Sequence, residues 1–206
     1  MRRNLPNYIT GSRFFMAIAF FIVLAFFRAG EKPTWPVLEV AFAIFLLAIF
    51  SDAVDGYLAR RMGRITSFGR IADPFVDKIL VCGAFVFFIG NSFLINGGGA
   101  DAVNVTGLRT WMVVLIIARE LLVTGMRSFS ESHGIPFPAS WSGKLKMFLQ
   151  CLAICWILVY LKHWTGHEHE WARQVRDVLV WVMVAFAAVS GLTYIDRARR
   201  LIRLEA

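Results

Sequence analysis

Six apolar segments constrain the fold of this chain more than any other feature of its sequence. They cover residues 9–27, 37–60, 71–94, 108–129, 145–164 and 175–195. A helix of about 20 mostly apolar residues crosses the hydrocarbon core of a bilayer, so each segment is long enough for one crossing. The sequence therefore predicts an all-α integral membrane protein with six transmembrane helices in a single domain, residues 1–206. Residues 4–10 are too polar to cross and are predicted to form a short N-terminal interfacial segment.

Composition supports a lipid environment. The chain of 206 residues is 58% hydrophobic and 17% charged, whereas soluble domains average about 25% charged residues. These values exclude a disordered chain and an ordinary soluble domain. A net charge of +8 would suggest nucleic acid as the partner of a soluble protein. In an apolar chain it instead favours the lipid bilayer, and no nucleic-acid partner is expected.

The distribution of Lys and Arg predicts the orientation of the helices. The connection at residues 91–107 contains neither residue type, whereas both termini and the connections around residues 60–70 and 127–146 are basic. Short basic connections remain on the cytoplasmic side of a membrane. We therefore expect both termini in the cytoplasm.

Two short stretches concentrate acidic residues beside apolar sequence. In the first, helical spacing of i, i+3, i+4, i+7 and i+8 places five residues on one face; they are Asp52, Asp55, Gly56, Ala59 and Arg60. In the second, Gly69, Asp73 and Asp77 are spaced i, i+4 and i+8 and also share a face. Each face would thus present two carboxylates next to residues with little or no side chain.

Four carboxylates at membrane depth need a chemical reason. Each would cost about 3 kcal/mol at the centre of a membrane helix, so four would cost on the order of 10 kcal/mol. They would also repel one another unless cations lay between them. Oxygen ligands without His or Cys suit Mg²⁺, Mn²⁺ or Ca²⁺. The small residues would let a bulky group approach the backbone, and Arg60 would bind phosphate oxygens. The pattern therefore predicts a metal-assisted diphosphate site.

The alternative is that these acids are interfacial helix ends paired with nearby arginines. Four arginines are available for such pairs: Arg60, Arg61, Arg64 and Arg70. A single Asp–Arg pair would favour this structural interpretation. The arrangement of two carboxylates and small residues on each of two helices favours the metal site.

The stretch from Asp52 to Asp77 reads D-x2-D-G-x2-A-R-x8-G-x3-D-x3-D. It resembles the signature of the CDP-alcohol phosphotransferases at every position. The resemblance implies a six-helix membrane enzyme, usually a homodimer, that transfers a phosphatidyl or related group from a CDP-linked donor to an alcohol and releases CMP. It implies that Asp52, Asp55 and Asp73 bind two divalent ions, Mg²⁺ or Mn²⁺.

The same resemblance implies roles for the remaining residues of the signature. Asp77 would share the metal site and act as general base on the acceptor hydroxyl. The residues lining the CDP-donor site would be Gly56, Ala59, Arg60 and Gly69. Asn7 and Thr10 would contact the cytidine or the phosphates, although both are also good helix-capping residues.

Three further stretches are similar to one branch of this family. They are residues 4–13, 118–127 and 143–146. That branch takes CDP-diacylglycerol as donor and sn-glycerol 3-phosphate as acceptor. Such an acceptor is a dianion and needs cations, for which the candidates are Arg119, Arg127, Lys144 and Lys146. Arg119 and Arg127 are spaced i, i+8 and would share a helix face open to the cytoplasm. The alternative is that these cations are positive-inside anchors.

Two other functions remain open at this point. A sister enzyme with the same donor would use inositol phosphate, serine or phosphatidylglycerol as acceptor. A cation transporter would use the intramembrane acids as an ion path. The first differs in its acceptor alone, and the second would release no CMP.

Overall fold

A computed structural model describes residues 5–31, 36–62, 67–95, 103–132, 141–164 and 170–205. Side chains are described for residues 11–31, 36–51, 78–95, 103–130, 132, 143–164 and 170–195. These parts contain six α-helices and one short β-hairpin. The helices are α1 (Leu5–Ala25), α2 (Val37–Met62), α3 (Ser67–Phe88), α4 (Thr110–Ser132), α5 (Trp141–His163) and α6 (Glu170–Glu205).

The helices form a bundle whose two ends differ. α1 packs on α2 and α3, α6 packs on α4 and α5, and contacts of α2 with α5 and of α3 with α4 join the two groups. At one end, Lys162 of α5 pairs with Glu39 of α2 at 2.7 Å. At the same end Arg176 of α6 donates to the carbonyl oxygen of Val105, just before α4. We call this the hairpin end; α2 and α4 end, and α3 and α5 begin, at the opposite end.

The third helix is shorter than predicted. The apolar pattern predicts a helix over 71–94, but α3 runs from Ser67 to Phe88 and is followed by a 3₁₀ turn, Asn91–Phe93. Strand β1 (Leu94–Ile95) then pairs antiparallel with β2 (Val103–Asn104). The Asn104 side-chain amide donates to the carbonyl oxygen of Phe88 at 2.9 Å. This contact from outside the helix satisfies a carbonyl of its last turn and stabilises its end.

The other boundaries also depart from the predicted segments. The part of the predicted interfacial segment that the structure describes, 5–10, is helical and continuous with α1. α5 begins at Trp141, so Lys144 and Lys146 lie within its first two turns. α6 extends to Glu205, well beyond the predicted 175–195. In each case a polar stretch continues the helix, because helix formation depends on backbone hydrogen bonding as well as on apolar content.

Large aromatic side chains fill the core between α1, α2 and α3. Phe20 of α1 and Phe45 of α2 are fully buried, with ring centroids 5.5 Å apart. Near the hairpin end, Phe27 packs on Phe93 with centroids 5.0 Å apart. Aromatic pairs at such distances contribute about 1 kcal/mol beyond the area they bury.

Two helices are long and apolar enough to cross a bilayer within the part of the chain whose side chains are described. They are Gly143–His163 and Glu170–Ile195. Three shorter apolar helical stretches accompany them: Gly11–Ala25, Val37–Ser51 and Lys78–Phe88. This pattern is typical of a membrane protein, and the predicted count of six crossings remains a prediction.

Arg176 connects the hairpin end of α6 to the chain before α4. Its Nη1 donates to the carbonyl oxygen of Val105 at 2.7 Å, and its Nε and Nη2 donate to Asp177 Oδ1 at 2.8 and 2.6 Å. Its guanidinium carbon lies 4.7 Å from the centroid of the Tyr160 ring. Each of the three guanidinium nitrogens of this buried cation therefore has a partner, which is the arrangement expected of a structural charge.

Gly107 is expected to tolerate a side chain poorly, because its backbone is left-handed and its surroundings are crowded. Its φ is +75°, and a Cβ there would lie 2.8 Å from Asp177 Oδ1 and 2.9 Å from Arg176 Nε. Gly107→Ala therefore combines a left-handed backbone cost of about 1–2 kcal/mol with a steric clash. Gly30 is the control, since its φ is +86° with no heavy atom within 4 Å of the added Cβ.

The two Ala variants should differ in thermal unfolding of the detergent-solubilised protein. Gly107→Ala should lower the unfolding temperature roughly twice as much as Gly30→Ala, because over-packing adds about 1–3 kcal/mol to the shared backbone cost. Equal losses would mean that the contact with Arg176 and Asp177 does not constrain residue 107.

Candidate active site

Both acidic stretches lie on helices. Residues 52–60 fall within α2 and residues 69–77 within α3. The helical spacing that places Asp52 with Asp55, and Asp73 with Asp77, on shared faces is therefore present in the backbone. Their side chains lie outside the described residues, as do those of Gly56, Ala59, Arg60, Gly69, Asn7 and Thr10. The predicted metal and donor sites accordingly remain predictions.

The chemistry of this donor set suits a hard divalent cation. Two helical stretches each supply two carboxylates at one-face spacing, and carboxylate oxygens are the ligands that Mg²⁺ and Mn²⁺ prefer. Within the described side chains, no group of three or more His, Cys, Asp or Glu could hold a metal ion. The carboxylates of 52–77 lie outside those side chains and remain the predicted ligands because of their sequence spacing.

A buried charged cluster lies where α4, α5 and α6 meet. Arg119 Nη1 contacts Glu120 Oε1 at 3.3 Å, and Lys146 Nζ of α5 donates to the same oxygen. The side chains of Arg119, Glu120 and Lys146 are only 5%, 7% and 12% exposed. Two predicted acceptor-binding cations thus share one buried carboxylate. We call these three residues the acceptor cluster.

Arg119 is held from several sides but retains a free donor. Its Nε donates to Ser190 Oγ of α6 at 3.1 Å, and its guanidinium carbon lies 5.3 Å from the Tyr194 ring centroid. Its Nη2 is buried and has no hydrogen-bond partner among the described residues. Buried polar groups rarely remain unpaired. Arg119 therefore differs from Arg176, since one of its buried donors has no acceptor among the side chains and backbone that the structure describes.

Lys78 adds a third cation beside the acceptor cluster. Its Nζ donates to Thr124 Oγ1 of α4, and the charges of Glu120, Lys146 and Arg127 act on it. The sequence analysis did not select Lys78. The available signal was a Lys directly after Asp77 inside an apolar segment, since an ionisable residue at membrane depth is by default a candidate functional residue.

The other two predicted acceptor cations have different surroundings. Arg127 and Lys144 are both exposed. Arg127 is near enough for its charge to act on Lys78. Lys144 precedes Lys146 by two residues. The two side chains are therefore offset by about 200° around α5 and lie on opposite faces of the helix. Exposure at this end of the bundle is also what a positive-inside anchor would have.

Gln150 is a second residue that the sequence analysis missed. It is 2% exposed and follows Lys146 by one helical turn, so the two share a face of α5. Its Nε2 has no hydrogen-bond partner within the described part of the chain. A buried amide without a partner is costly, and this one has no signal in the sequence beyond a Gln inside an apolar segment.

The chain belongs to the CDP-alcohol phosphatidyltransferase family. The family model matches residues 3–189, a range that includes both acidic stretches and the acceptor cluster.

Curated relatives cover nearly the whole chain. The Bacillus subtilis (strain 168) protein named CDP-diacylglycerol–glycerol-3-phosphate 3-phosphatidyltransferase is 34% identical over 200 residues, 94% of each chain. A Mycobacterium tuberculosis (strain H37Rv) protein named probable phosphatidylglycerophosphate synthase is 36% identical over 197 residues, 96% of this chain and 82% of that one. A Salmonella paratyphi A protein with the first name is 29% identical over 205 residues, 97% of each chain.

Proposed function

We propose that this protein transfers the phosphatidyl group of CDP-diacylglycerol to sn-glycerol 3-phosphate and forms phosphatidylglycerophosphate and CMP. The family and the names of relatives from three bacteria support this activity. The observation that carries the choice of a phosphorylated acceptor is the acceptor cluster. Its two buried cations outnumber its one carboxylate, and Arg119 Nη2 is available to a further acceptor of hydrogen bonds.

The cluster suits a phosphomonoester better than a neutral acceptor. A buried excess of positive charge costs free energy unless an anion neutralises it. The phosphate of sn-glycerol 3-phosphate supplies up to two negative charges and several oxygens that accept hydrogen bonds. Serine carries no phosphate to fill such a site. Arginine binds phosphate through its planar fork of donors, which matches the geometry of Arg119.

In this proposal the acidic stretches hold the donor. Asp52, Asp55, Asp73 and Asp77 bind two divalent ions, Mg²⁺ or Mn²⁺, which when bound neutralise the diphosphate and make CMP a better leaving group. The bare backbone at Gly56, Ala59 and Gly69 lets the nucleotide approach. Arg60, Asn7 and Thr10 supply hydrogen bonds to its phosphates and cytidine.

Asp77 then takes the proton of the acceptor hydroxyl. The hydroxyl oxygen forms a bond to the phosphorus that carries diacylglycerol, and the bond from that phosphorus to the bridging oxygen breaks. CMP leaves with the electron pair of that bond. General-base assistance of this kind contributes about 10²–10⁴-fold to a rate.

We also propose six membrane crossings in a bacterial inner membrane, with both termini in the cytoplasm and a homodimeric assembly. The alternation of the helices supports the orientation. The described residues 91–95 and 103–107, which contain no Lys or Arg, lie at the hairpin end, whereas the helix ends that flank the basic connections lie at the opposite end. The active site would then face the cytoplasm, where both phosphorylated substrates are soluble or presented by the inner leaflet.

An acceptor panel tests the proposed function. Purified protein with CDP-diacylglycerol and Mg²⁺ is given sn-glycerol 3-phosphate, inositol phosphate, serine or phosphatidylglycerol, and CMP and the lipid product are quantified by mass spectrometry. We expect equimolar CMP and phosphatidylglycerophosphate with sn-glycerol 3-phosphate. Turnover with another acceptor but not with this one would identify a sister enzyme. Metal flux in liposomes without CMP release would indicate a transporter.

A further inference from the structure

Lys78 links the helix of Asp77 to the acceptor cluster. Its Nζ donates to Thr124 Oγ1 of α4, and that hydroxyl in turn donates to the carbonyl oxygen of Glu120 at 2.7 Å. The hydroxyl is thereby oriented with its lone pairs toward Lys78. Because α4 holds both Thr124 and Glu120, the Lys78 ammonium is held at a fixed place beside the cluster.

The described contacts of Lys78 do not neutralise its charge. The Thr124 hydroxyl that accepts from it carries no net charge, and an ammonium has three donors. The carboxylate of Glu120 is already shared by Arg119 and Lys146. Among the described side chains of this group, the three cations and the one carboxylate sum to a charge of +2. A phosphomonoester dianion would carry a charge of equal size and opposite sign.

The position of Lys78 on α3 places it on a different face of the helix from Asp77, the candidate general base. Successive residues of a helix are offset by about 100°, so Lys78 and Asp77 occupy different faces. Lys78 contacts α4, the helix of the acceptor cluster. α3 therefore carries the candidate base and this cation at adjacent positions, which would fix the spacing between the base and a group able to bind the acceptor phosphate.

We propose that Lys78 is a third cation of the acceptor site and binds a non-bridging phosphate oxygen of sn-glycerol 3-phosphate. This inference rests on the proposed function. Lys78 with Arg119 and Lys146 then surrounds the phosphate from α3, α4 and α5.

Kinetics of Lys78→Met and Lys78→Arg test this role. Lys78→Met should raise KM for sn-glycerol 3-phosphate about 10- to 100-fold, because a charge-assisted hydrogen bond is lost. Its kcat and its KM for CDP-diacylglycerol should stay within about twofold of the wild-type values. Lys78→Arg should restore most of the acceptor affinity. Inhibition by inorganic phosphate, competing with the acceptor, should weaken in parallel in Lys78→Met.

One control and one graded variant separate binding from a structural role. Lys162→Met is the control; it removes a lysine that pairs with Glu39 at the hairpin end and should leave both KM values unchanged. Thr124→Val removes the hydroxyl that holds Lys78 but keeps the ammonium, so it should raise the acceptor KM by less than Lys78→Met does.

Three results would overturn the proposal. The first is an unchanged KM for sn-glycerol 3-phosphate in Lys78→Met. The second is a loss of acceptor affinity in Lys78→Arg as large as that in Lys78→Met. The third is a change in Lys78→Met that is confined to kcat and to the Mg²⁺ concentration for half-activation. The last would mean that Lys78 only positions Asp77. If the wild-type protein does not turn over sn-glycerol 3-phosphate, the proposed function itself fails. If the wild-type protein does and Lys78→Met keeps its KM, only this inference fails.

Discussion

Replacing Asp77 by Asn should lower kcat for CMP release by about 10³-fold. Asn keeps an oxygen of similar size but cannot take a proton from the acceptor hydroxyl, and a positioned general base contributes about 10²–10⁴-fold. Asp77 lies within α3, so the exchange of a carboxylate for an amide should leave the helix intact. The measurement is the initial rate of CMP formation with both substrates saturating.

Asp177→Asn provides a matched control for this exchange. Asp177 lies at the hairpin end, its side chain is 45% exposed, and it pairs with Arg176, so the CMP rate of this variant should stay within about twofold of the wild-type rate. Titration with Mg²⁺ separates loss of the base from loss of a metal ligand, because excess Mg²⁺ restores activity only in the second case. A rate of Asp77→Asn above about a tenth of the wild-type rate would contradict the assignment of the base.

Replacing Arg119 by Met should raise KM for sn-glycerol 3-phosphate by about 100-fold with little change in KM for CDP-diacylglycerol. The guanidinium contacts Glu120 and Ser190, and its buried Nη2 has no partner among the described residues. In the proposed function Nη2 donates to the acceptor phosphate. The methionine fills part of the vacated space, and Lys146 still pairs with Glu120. The fold should therefore survive, which thermal unfolding in detergent checks.

Arg119→Lys should not restore the acceptor affinity. Arg119 uses its donors in three directions, and a lysine ammonium cannot reproduce that fork. Arg173→Met is the matched control, since the Arg173 side chain is 55% exposed and lies near the hairpin end of α6. Normal acceptor KM in Arg119→Met, or equal loss in Arg173→Met, would contradict the role given to the acceptor cluster.

Hydropathy predicted the positions of most helices along the chain, but it did not predict the residues at which several of them begin and end. The segment 37–60 corresponds closely to α2, Val37–Met62. The segment 71–94 overruns α3 because Phe93 and Leu94 are as apolar as a helix interior, yet they belong to a 3₁₀ turn and a strand. What ends α3 is a side chain from far along the sequence, Asn104. Windowed hydropathy does not contain such tertiary contacts.

The candidate site was predicted in part. Helical spacing placed the carboxylates of 52–77 on two faces, and both stretches are helical. Charge and family resemblance selected Arg119 and Lys146, which the structure brings together. The sequence could not indicate that Glu120 lies between them, because that arrangement depends on how α4 and α5 are placed by their packing on α6 and α3.

Some residues near the acceptor cluster could not be recognised from the sequence, because only their tertiary contacts distinguish them. Ser190 is one Ser in an apolar helix, and its importance comes from the hydrogen bond to Arg119. Lys78 follows an acidic residue as many surface lysines do. Its place beside Thr124 becomes visible only when α3 and α4 are packed together.

The central claim is that a buried cation cluster selects an acceptor by its phosphate. The most direct measurement compares sn-glycerol 3-phosphate with glycerol, which differ only in that group, in the CMP-release assay with CDP-diacylglycerol. A site built for a hydrogen-bonded group rejects the analogue that lacks it by about 10⁴-fold, so kcat/KM with glycerol should be lower by about that factor. Equal kcat/KM for the two acceptors would contradict the account.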